Sequence, residues 1–315
     1  MADCSPQFIE FNIAISLTKT DKKYLRAARR GITAKVRRYF SSNEQCPRVE
    51  FKGQGSFSMG TIVRPINGEF DIDIGIYLKN QSIFRDFWPK PEKVSYWLVK
   101  ALDGHTIIPP VNKRNCIRIR YQPISKNKDV AYHVDLPIYC TYRDLLGYTY
   151  TRIGITGKTR WERKSDPVGF TKWFFEKCVE NASDKNQLIR LIKYIKAWKD
   201  LVKGEMKLPS GMALTVLIAN NFVQHTRDDI AFVSTIEKAY SSLYGFWSSE
   251  QIISPVKPNN DLLSRLTRMQ KNNFKLLFKR LVEKGKDAIE TADLNQGLSI
   301  WHSEMGDRFS NKQIP

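Results

Sequence analysis

The chain has 315 residues, 42% of them hydrophobic and 12% aromatic, and 51 Lys and Arg against 32 Asp and Glu give a formal charge of +19. Such a composition builds a large core, so it excludes a disordered basic tail, a collagen-like chain and a disulfide-stapled mini-protein, and it predicts one large or two closely packed domains. The charge calls for an anionic substrate or partner.

The N-terminal residues 1–12 lack the basic-then-apolar pattern of a signal peptide, and no apolar run reaches the roughly 20 residues that cross a bilayer. Cys4, Cys46, Cys116, Cys140 and Cys178 are odd in number, scattered and never spaced as C-x-x-C. Reduced thiols in a cytoplasm are expected, with no disulfide framework, no zinc knuckle and no membrane association. With only four histidines and no H-x-x-x-H pair, metal chemistry falls to carboxylates and hence to hard ions, Mg²⁺ or alternatively Mn²⁺.

In chain order, residues 18–40 read as a helix capped by Thr20, with Leu25, Ala28, Ile32, Val36 and Phe40 on its apolar stripe. Its other face concentrates charge in Lys22, Lys23, Arg26, Arg29, Arg30, Lys35, Arg37 and Arg38. A small-residue stretch over 53–61 and a turn signal at Pro65-Ile66-Asn67-Gly68 lead into a strand at 70–77, where Phe70, Ile72, Ile74 and Ile76 alternate with Asp71, Asp73, Gly75 and Tyr77. Two further strands are predicted at 117–121 and 130–139, separated by a polar turn at 125–129. After about residue 155 the texture turns to amphipathic runs at 170–181, 186–202, 212–225, 228–240 and 262–284, which predict helices. No internal repeat or low-complexity linker separates the halves. The expected architecture is therefore α/β: a mixed sheet with helices over 1–155, packed against a helical domain over 156–315, bilobal with a central cleft.

The acidic residues carry the chemistry. On a strand, Asp71 and Asp73 project from one face with Cα atoms roughly 6.5 Å apart and can share a divalent cation. Alone, D-x-D also fits a solvated strand face. Upstream, Gly53-Gln54-Gly55-Ser56 allows backbone N–H groups close to a phosphate, with a serine donor beside them. Downstream, Asp135 sits between Val134 and Leu136 in a strand that reads as buried. A carboxylate there needs a metal, or a pairing with a strand arginine such as Arg118 or Arg120. His133, two residues before Asp135, shares its strand face and reads as a packed, hydrogen-bonded residue or as support for the acidic group.

A Gly-Ser loop, a D-x-D strand beginning 15 residues after Ser56 and a third Asp on a later strand form the signature of the polymerase β-like nucleotidyltransferases. The finer pattern resembles the bacterial cGAS/DncV-like nucleotidyltransferases, the CD-NTases of anti-phage CBASS systems. It runs through Gln54-Gly55-Ser56, Gly60-Thr61, Glu69 to Tyr77, Tyr132 to Pro137, Leu191 to Lys199, Leu208-Pro209-Ser210-Gly211, Ser254 to Asn260 and Gly306-Asp307-Arg308-Phe309. The resemblance implies that 1–155 is the catalytic core and that 156–315 completes the nucleotide cleft. It implies Mg²⁺ on Asp71, Asp73 and Asp135, the donor nucleotide on Gln54, Gly55, Ser56, Lys196 and Ser210, and base contacts from Asn260 or Asp261. Lys193 and Lys199 are the alternatives to Lys196, which lies at the edge of the buried stripe Leu188, Leu191, Ile195 and Trp198. Tyr77 and Tyr132 are candidates to stack on a base, while Trp173, Phe174 and Phe175 read as core.

In function, the resemblance implies a cytoplasmic bacterial enzyme that joins ATP and GTP, or another NTP, into a cyclic di- or trinucleotide messenger with release of pyrophosphate. A downstream effector would recognise the product, a regulatory protein is a conceivable partner, and a nucleic-acid activator is not expected. Rival readings are an RNA-primed nucleotidyltransferase of the poly(A)- or CCA-adding type, a nucleic-acid-activated oligoadenylate-type synthetase, and a catalytically inert nucleotide binder.

Overall fold

The computed structural model describes residues 1–66, 69–122, 131–155, 161–180, 185–204 and 206–312. The expected turn residues Asn67-Gly68 and 125–129, Val130 and Asn181 lie outside them. The elements are α1 (Ser5–Ile15), α2 (Lys19–Ser42), β1 (Val49–Gln54), α3 (Gly55–Ser58), β2 (Phe70–Gln81), α4 (Pro91–Ala101), β3 (Val111–Asn112), β4 (Ile117–Tyr121), β5 (Tyr132–Leu136), β6 (Ile138–Arg143), β7 (Thr149–Gly154), β8 (Trp161–Lys164), α5 (Pro167–Glu180), α6 (Lys185–Val202), α7 (Gly211–Asn221), α8 (Asp228–Tyr244), α9 (Arg268–Glu290) and α10 (Leu294–Met305). They form two compact units. One comprises Leu17–Met59 and Asn67–Thr171, the other Met1–Ser16, Gly60–Ile66 and Lys172–Pro315.

The first unit is built on an eight-stranded mixed sheet in the order β3-β4-β5-β2-β6-β7-β8, with β1 also paired to β2. The single strand expected at 130–139 is divided at Pro137, because proline has no N–H for the ladder. β5 and β6 nonetheless keep one parallel register against β2, with Phe70 opposite Tyr132 and Ile76 opposite Ile138. The Ile76 N–H donates to the Pro137 carbonyl at 2.9 Å across the break. Helix α2 buries the five stripe residues expected of it and packs against α4 and β1. Its cap is Thr18 rather than Thr20: Thr18 Oγ1 accepts from the Asp21 N–H and Asp21 Oδ2 from the Thr18 N–H, at 3.0 and 2.9 Å. That reciprocal T-x-x-D box satisfies two otherwise orphaned donors, which Thr20 inside the first turn could not do.

The second unit is helical. Helix α1 is threaded through it, with Phe8 edge-on to Tyr194, Trp301 and Phe309 at centroid distances of 5.0, 4.8 and 5.1 Å. The 306–309 motif acquires a structural meaning here. Gly306, at φ +74°, ends α10, so that the chain turns back and buries Phe309 completely. Of the three neighbouring aromatics on α5, Phe174 is core as expected, whereas Phe175 is 44% exposed. No helix among the described residues is long and apolar enough to cross a membrane.

A buried polar node joins α1, α6 and α8. Asp228, 2% exposed, accepts a bidentate pair from Arg190 at 2.6 and 2.7 Å, together with bonds from Gln187 and Tyr194 at 2.8 Å each, while its own N–H donates to Ser5 Oγ. Burial alone would raise its pKa, but the bonds from Arg190, Gln187 and Tyr194 hold it below the usual carboxylate value. Asp228→Ala removes the acceptor shared by Arg190, Gln187 and Tyr194 inside the helices and is expected to cost about 3–5 kcal/mol. Urea denaturation of the purified variant measures this, and a loss below about 1 kcal/mol would contradict the assigned role.

Candidate active site

Strand pairing brings the acidic residues together. In register, Gln54 on β1 faces Asp73 on β2, Asp73 faces Asp135 on β5, and Asp135 faces Arg118 on β4. The neighbouring row is Asp71, His133 and Arg120. Residues directly opposite in a sheet project from the same face, so one face carries a polar end, a carboxylate centre and a cationic end.

Asp135 is buried, and of the two strand arginines it is Arg118 that holds it bidentately, Nε to Oδ1 and Nη2 to Oδ2, both 2.8 Å. Among the described residues Asp73 has no such partner to itself. Burial, then Asp71 and Asp135 as like charges, push its pKa up to about 7, against a smaller opposing pull from Arg118. Burial, with Asp135 nearby, also pushes the Cys116 thiol up to about 12. Three carboxylates compressed until one of them retains its proton make a donor set that a divalent cation fits, since the ion supplies the missing positive charge to hard oxygen ligands.

Two glycines make room for this packing. Gly55 adopts φ +70°, and a Cβ there would stand 2.2 Å from Asp73 Oδ2; both facts require glycine. At Gly75 a Cβ would meet Gln54 Oε1 at 2.6 Å. The Gln54 amide is tucked inward, donating to the Tyr139 hydroxyl at 2.9 Å and accepting from Tyr77 at 3.4 Å. Ser56 lies in the single turn of α3, half-buried. Asp73 and Asp135 open into a cavity of about 540 Å³ whose lining also includes Gln54 and the cations Lys113, Arg114 and Arg118. The three cations come from β4 and the turn before it. Sequence reasoning missed Lys113 and Arg114, although a Lys-Arg-Asn run ahead of an alternating strand was a usable signal.

The base-stacking candidates are corrected. Tyr77 is 1% exposed and stacked on Tyr139 at 4.7 Å. Tyr132 is stacked between Phe70 and Tyr121 at 5.8 and 4.8 Å. Neither ring has a free face to offer.

In the helical unit, Lys193 and Lys196 have different neighbours. Lys193 Nζ donates to Ser16 Oγ at 3.0 Å, next to α1. Lys196 is buried, donates to the Thr61 hydroxyl and carbonyl at 2.9 and 3.2 Å, and passes beside Gly211 at the start of α7. Ser210 caps α7 by accepting from the Ala213 N–H at 3.1 Å, which leaves its O–H to donate. Asp261 Oδ1 accepts from the N–H groups of Ile252 and Leu263, and Lys271 lies 3.8 Å from its Oδ2, so its carboxylate shapes the turn. The adjacent Asn260 is exposed.

Comparison with known proteins agrees with this geometry. Residues 49–139, which contain β1, β2 and β5 and thus all three aspartates, match the family described as cyclic GMP-AMP synthase DncV-like, nucleotidyltransferase domain. Over these residues the chain is thus similar to a DncV-like nucleotidyltransferase domain. The resemblance to the CD-NTases is thereby borne out. A cyclic GMP-AMP synthase of Escherichia albertii is 29% identical over 201 residues, covering 59% of this chain and 40% of that protein. A cyclic AMP-AMP-AMP synthase of Acinetobacter sp. (strain ATCC 27244 / 9458) is 26% identical over 271 residues, 81% of this chain and 71% of that protein. The match thus spans well under half the length of the first relative. The fold superposes on Vibrio cholerae DncV bound to the linear intermediate 5′ pppA(3′,5′)pG with a TM-score of 0.76 at 17% identity, covering 98% of this chain and 96% of that one. The GTP-bound form gives 0.75 at 18%.

The carboxylate crowding has a thermodynamic signature. Without metal, Asp73 keeps its proton up to about pH 7, whereas its ordinary value is 3.8. The folded state binds that proton more tightly, so the stability it contributes is complete below the ordinary value and is lost as pH rises through 7. Metal-free wild type is expected to lose melting temperature across that window relative to Asp73→Asn, and added Mg²⁺ should restore the wild type alone. Calorimetric scans at several pH values test this; a difference between the two proteins that ignores pH would contradict the burial assigned to Asp73.

Proposed function

We propose that this protein is a cyclic oligonucleotide synthase that joins nucleoside triphosphates, ATP with GTP or another NTP, and that its product is a cyclic di- or trinucleotide messenger in anti-phage defence. The reading is supported above all by the row Gln54–Asp73–Asp135–Arg118 with Asp71 beside it, in a DncV-like domain whose curated relatives are named as cyclic nucleotide synthases. Asp71, Asp73 and Asp135 would hold Mg²⁺. When bound, the cations neutralise triphosphate charge and acidify a ribose hydroxyl.

The remaining roles fall to the chain itself. Arg118 fixes both oxygens of Asp135 and so its orientation. Gly55 lets the backbone approach a phosphate, Ser56 adds a hydroxyl, and Gln54 forms the wall behind them. Lys196 and Ser210 keep the triphosphate contacts that the resemblance implies, and Asn260 is the better placed of the two base-contact candidates because Asp261 is engaged in its turn. In the reaction, a ribose hydroxyl oxygen bonds to the α-phosphorus of a second nucleotide. The bond from that phosphorus to the β-phosphate oxygen breaks, pyrophosphate leaves, and the hydroxyl proton passes to solvent. A second such transfer, onto the 5′-triphosphate of the linear intermediate, closes the ring.

Incubation of nuclease-treated protein with four NTPs and Mg²⁺ is expected to release pyrophosphate and to yield a phosphatase-resistant product identifiable by mass spectrometry. Asp71→Asn, Asp73→Asn and Asp135→Asn should each lower the rate by about 10²-fold or more. The exposed α2 cations serve to separate the RNA-primed rival. Reversing Arg26 and Arg30 to Glu should change turnover little, whereas Arg29 is excluded from that test because it packs on Gly53. A lengthened RNA primer, or activity that appears only with added nucleic acid, would replace this reading with the rival.

A further inference from the structure

His133 occupies a position that packing alone does not explain. Its side chain is only 9% exposed, yet Nε2 has no hydrogen-bond partner among the described residues, an omission that costs about 1–3 kcal/mol for a buried polar atom. Asp135 Oδ2 is 4.0 Å from Nε2, too far for a hydrogen bond. One ligand atom from each of Asp71, His133 and Asp135 lies within 4.8 Å of the other two. On the far side of the ring, Nδ1 is 3.0 Å from Glu69 Oε2. An ionised carboxylate can only accept, so Nδ1 carries the proton and Nε2 presents its lone pair toward the acidic pair. A carboxylate that fixes the tautomer of an imidazole, with the second nitrogen facing anionic oxygens, is the arrangement that orients histidine as a metal ligand.

Arg118 already engages both oxygens of Asp135, which raises the weight of any further lone pair aimed at the same point. Imidazole nitrogen suits transition ions, whereas Mg²⁺ strongly prefers oxygen.

We propose that His133 is a metal ligand: its Nε2, oriented by Glu69, completes with Asp71 and Asp135 a mixed nitrogen–oxygen site that favours Mn²⁺ over Mg²⁺. The inference rests on the reading of the aspartates as a cation centre and adds to it both a ligand and an ion preference.

The test uses the full chain without nucleotide, with Mn²⁺ as the probe. Pulsed EPR of the Mn²⁺-loaded protein should show imidazole-type ¹⁴N coupling, and competition titrations should show Mn²⁺ held more tightly than Mg²⁺. His133→Ala should abolish the coupling, with a melting curve as the check on folding. Glu69→Gln leaves the imidazole in place but loosens its tautomer, and is expected to weaken Mn²⁺ by about 10- to 100-fold while moving Mg²⁺ far less. Mn²⁺ bound without nitrogen coupling, or a Mn²⁺-to-Mg²⁺ preference that is the same in wild type and Glu69→Gln, overturns the role of His133 and leaves the carboxylate centre standing. Failure of wild type to bind either ion overturns both.

Discussion

Like-charge repulsion is the constraint on which the sheet unit depends. Parallel strands about 4.8 Å apart put Asp73 directly opposite Asp135, with Asp71 two residues away on the same face, and among the described residues Arg118 alone supplies a bonded countercharge. In a medium of reduced dielectric constant such an arrangement is unfavourable by itself. The surroundings tolerate it because glycine at 55 and 75 removes side-chain bulk where Asp73 and Gln54 need space. The tyrosine pair behind Gln54 seals that end of the row. The fold thus holds a strained electrostatic arrangement in place for a cation to relieve.

Within the helical unit, position on one helix decides between residues of the same type. Lys193 and Lys196 lie one turn apart on α6, but the first is spent on docking α1 through Ser16 and the second is drawn inward to Thr61. Composition cannot distinguish them; neighbours contributed by distant parts of the chain do.

Much of the site was legible in the sequence because its parts obey short-range rules. The period of two on a strand placed Asp71 and Asp73 on one face, and an acidic residue among apolar neighbours marked Asp135. The illegible parts depend on partners far away in the chain. Nothing around Ser5 announces that it will meet Asp228, or around Glu69 that it will meet His133. The division at Pro137 was missed for a different reason: hydrophobicity continues smoothly through it, and only the hydrogen-bond ladder registers the absent N–H. Thr18 was passed over because Thr20 stands closer to the first apolar residue, although the reciprocal T-x-x-D spacing favours the earlier position.

The discontinuous helical unit also sets an order of events during synthesis. Helix α1 leaves the ribosome early, yet Asp228 and Phe309, which it needs, are made more than 200 residues later. At about 5–20 residues per second, the interval is roughly 10–40 s. Until α6 is made, Phe8 and Phe11, both fully buried in the finished fold, lack Tyr194, and their partners from α8 and α10 follow later still. The sheet unit, contained in Leu17–Met59 and Asn67–Thr171, can be completed during this interval. The α1 segment is therefore made well before the helices that bury it, and its apolar face stays exposed to aggregation over that interval.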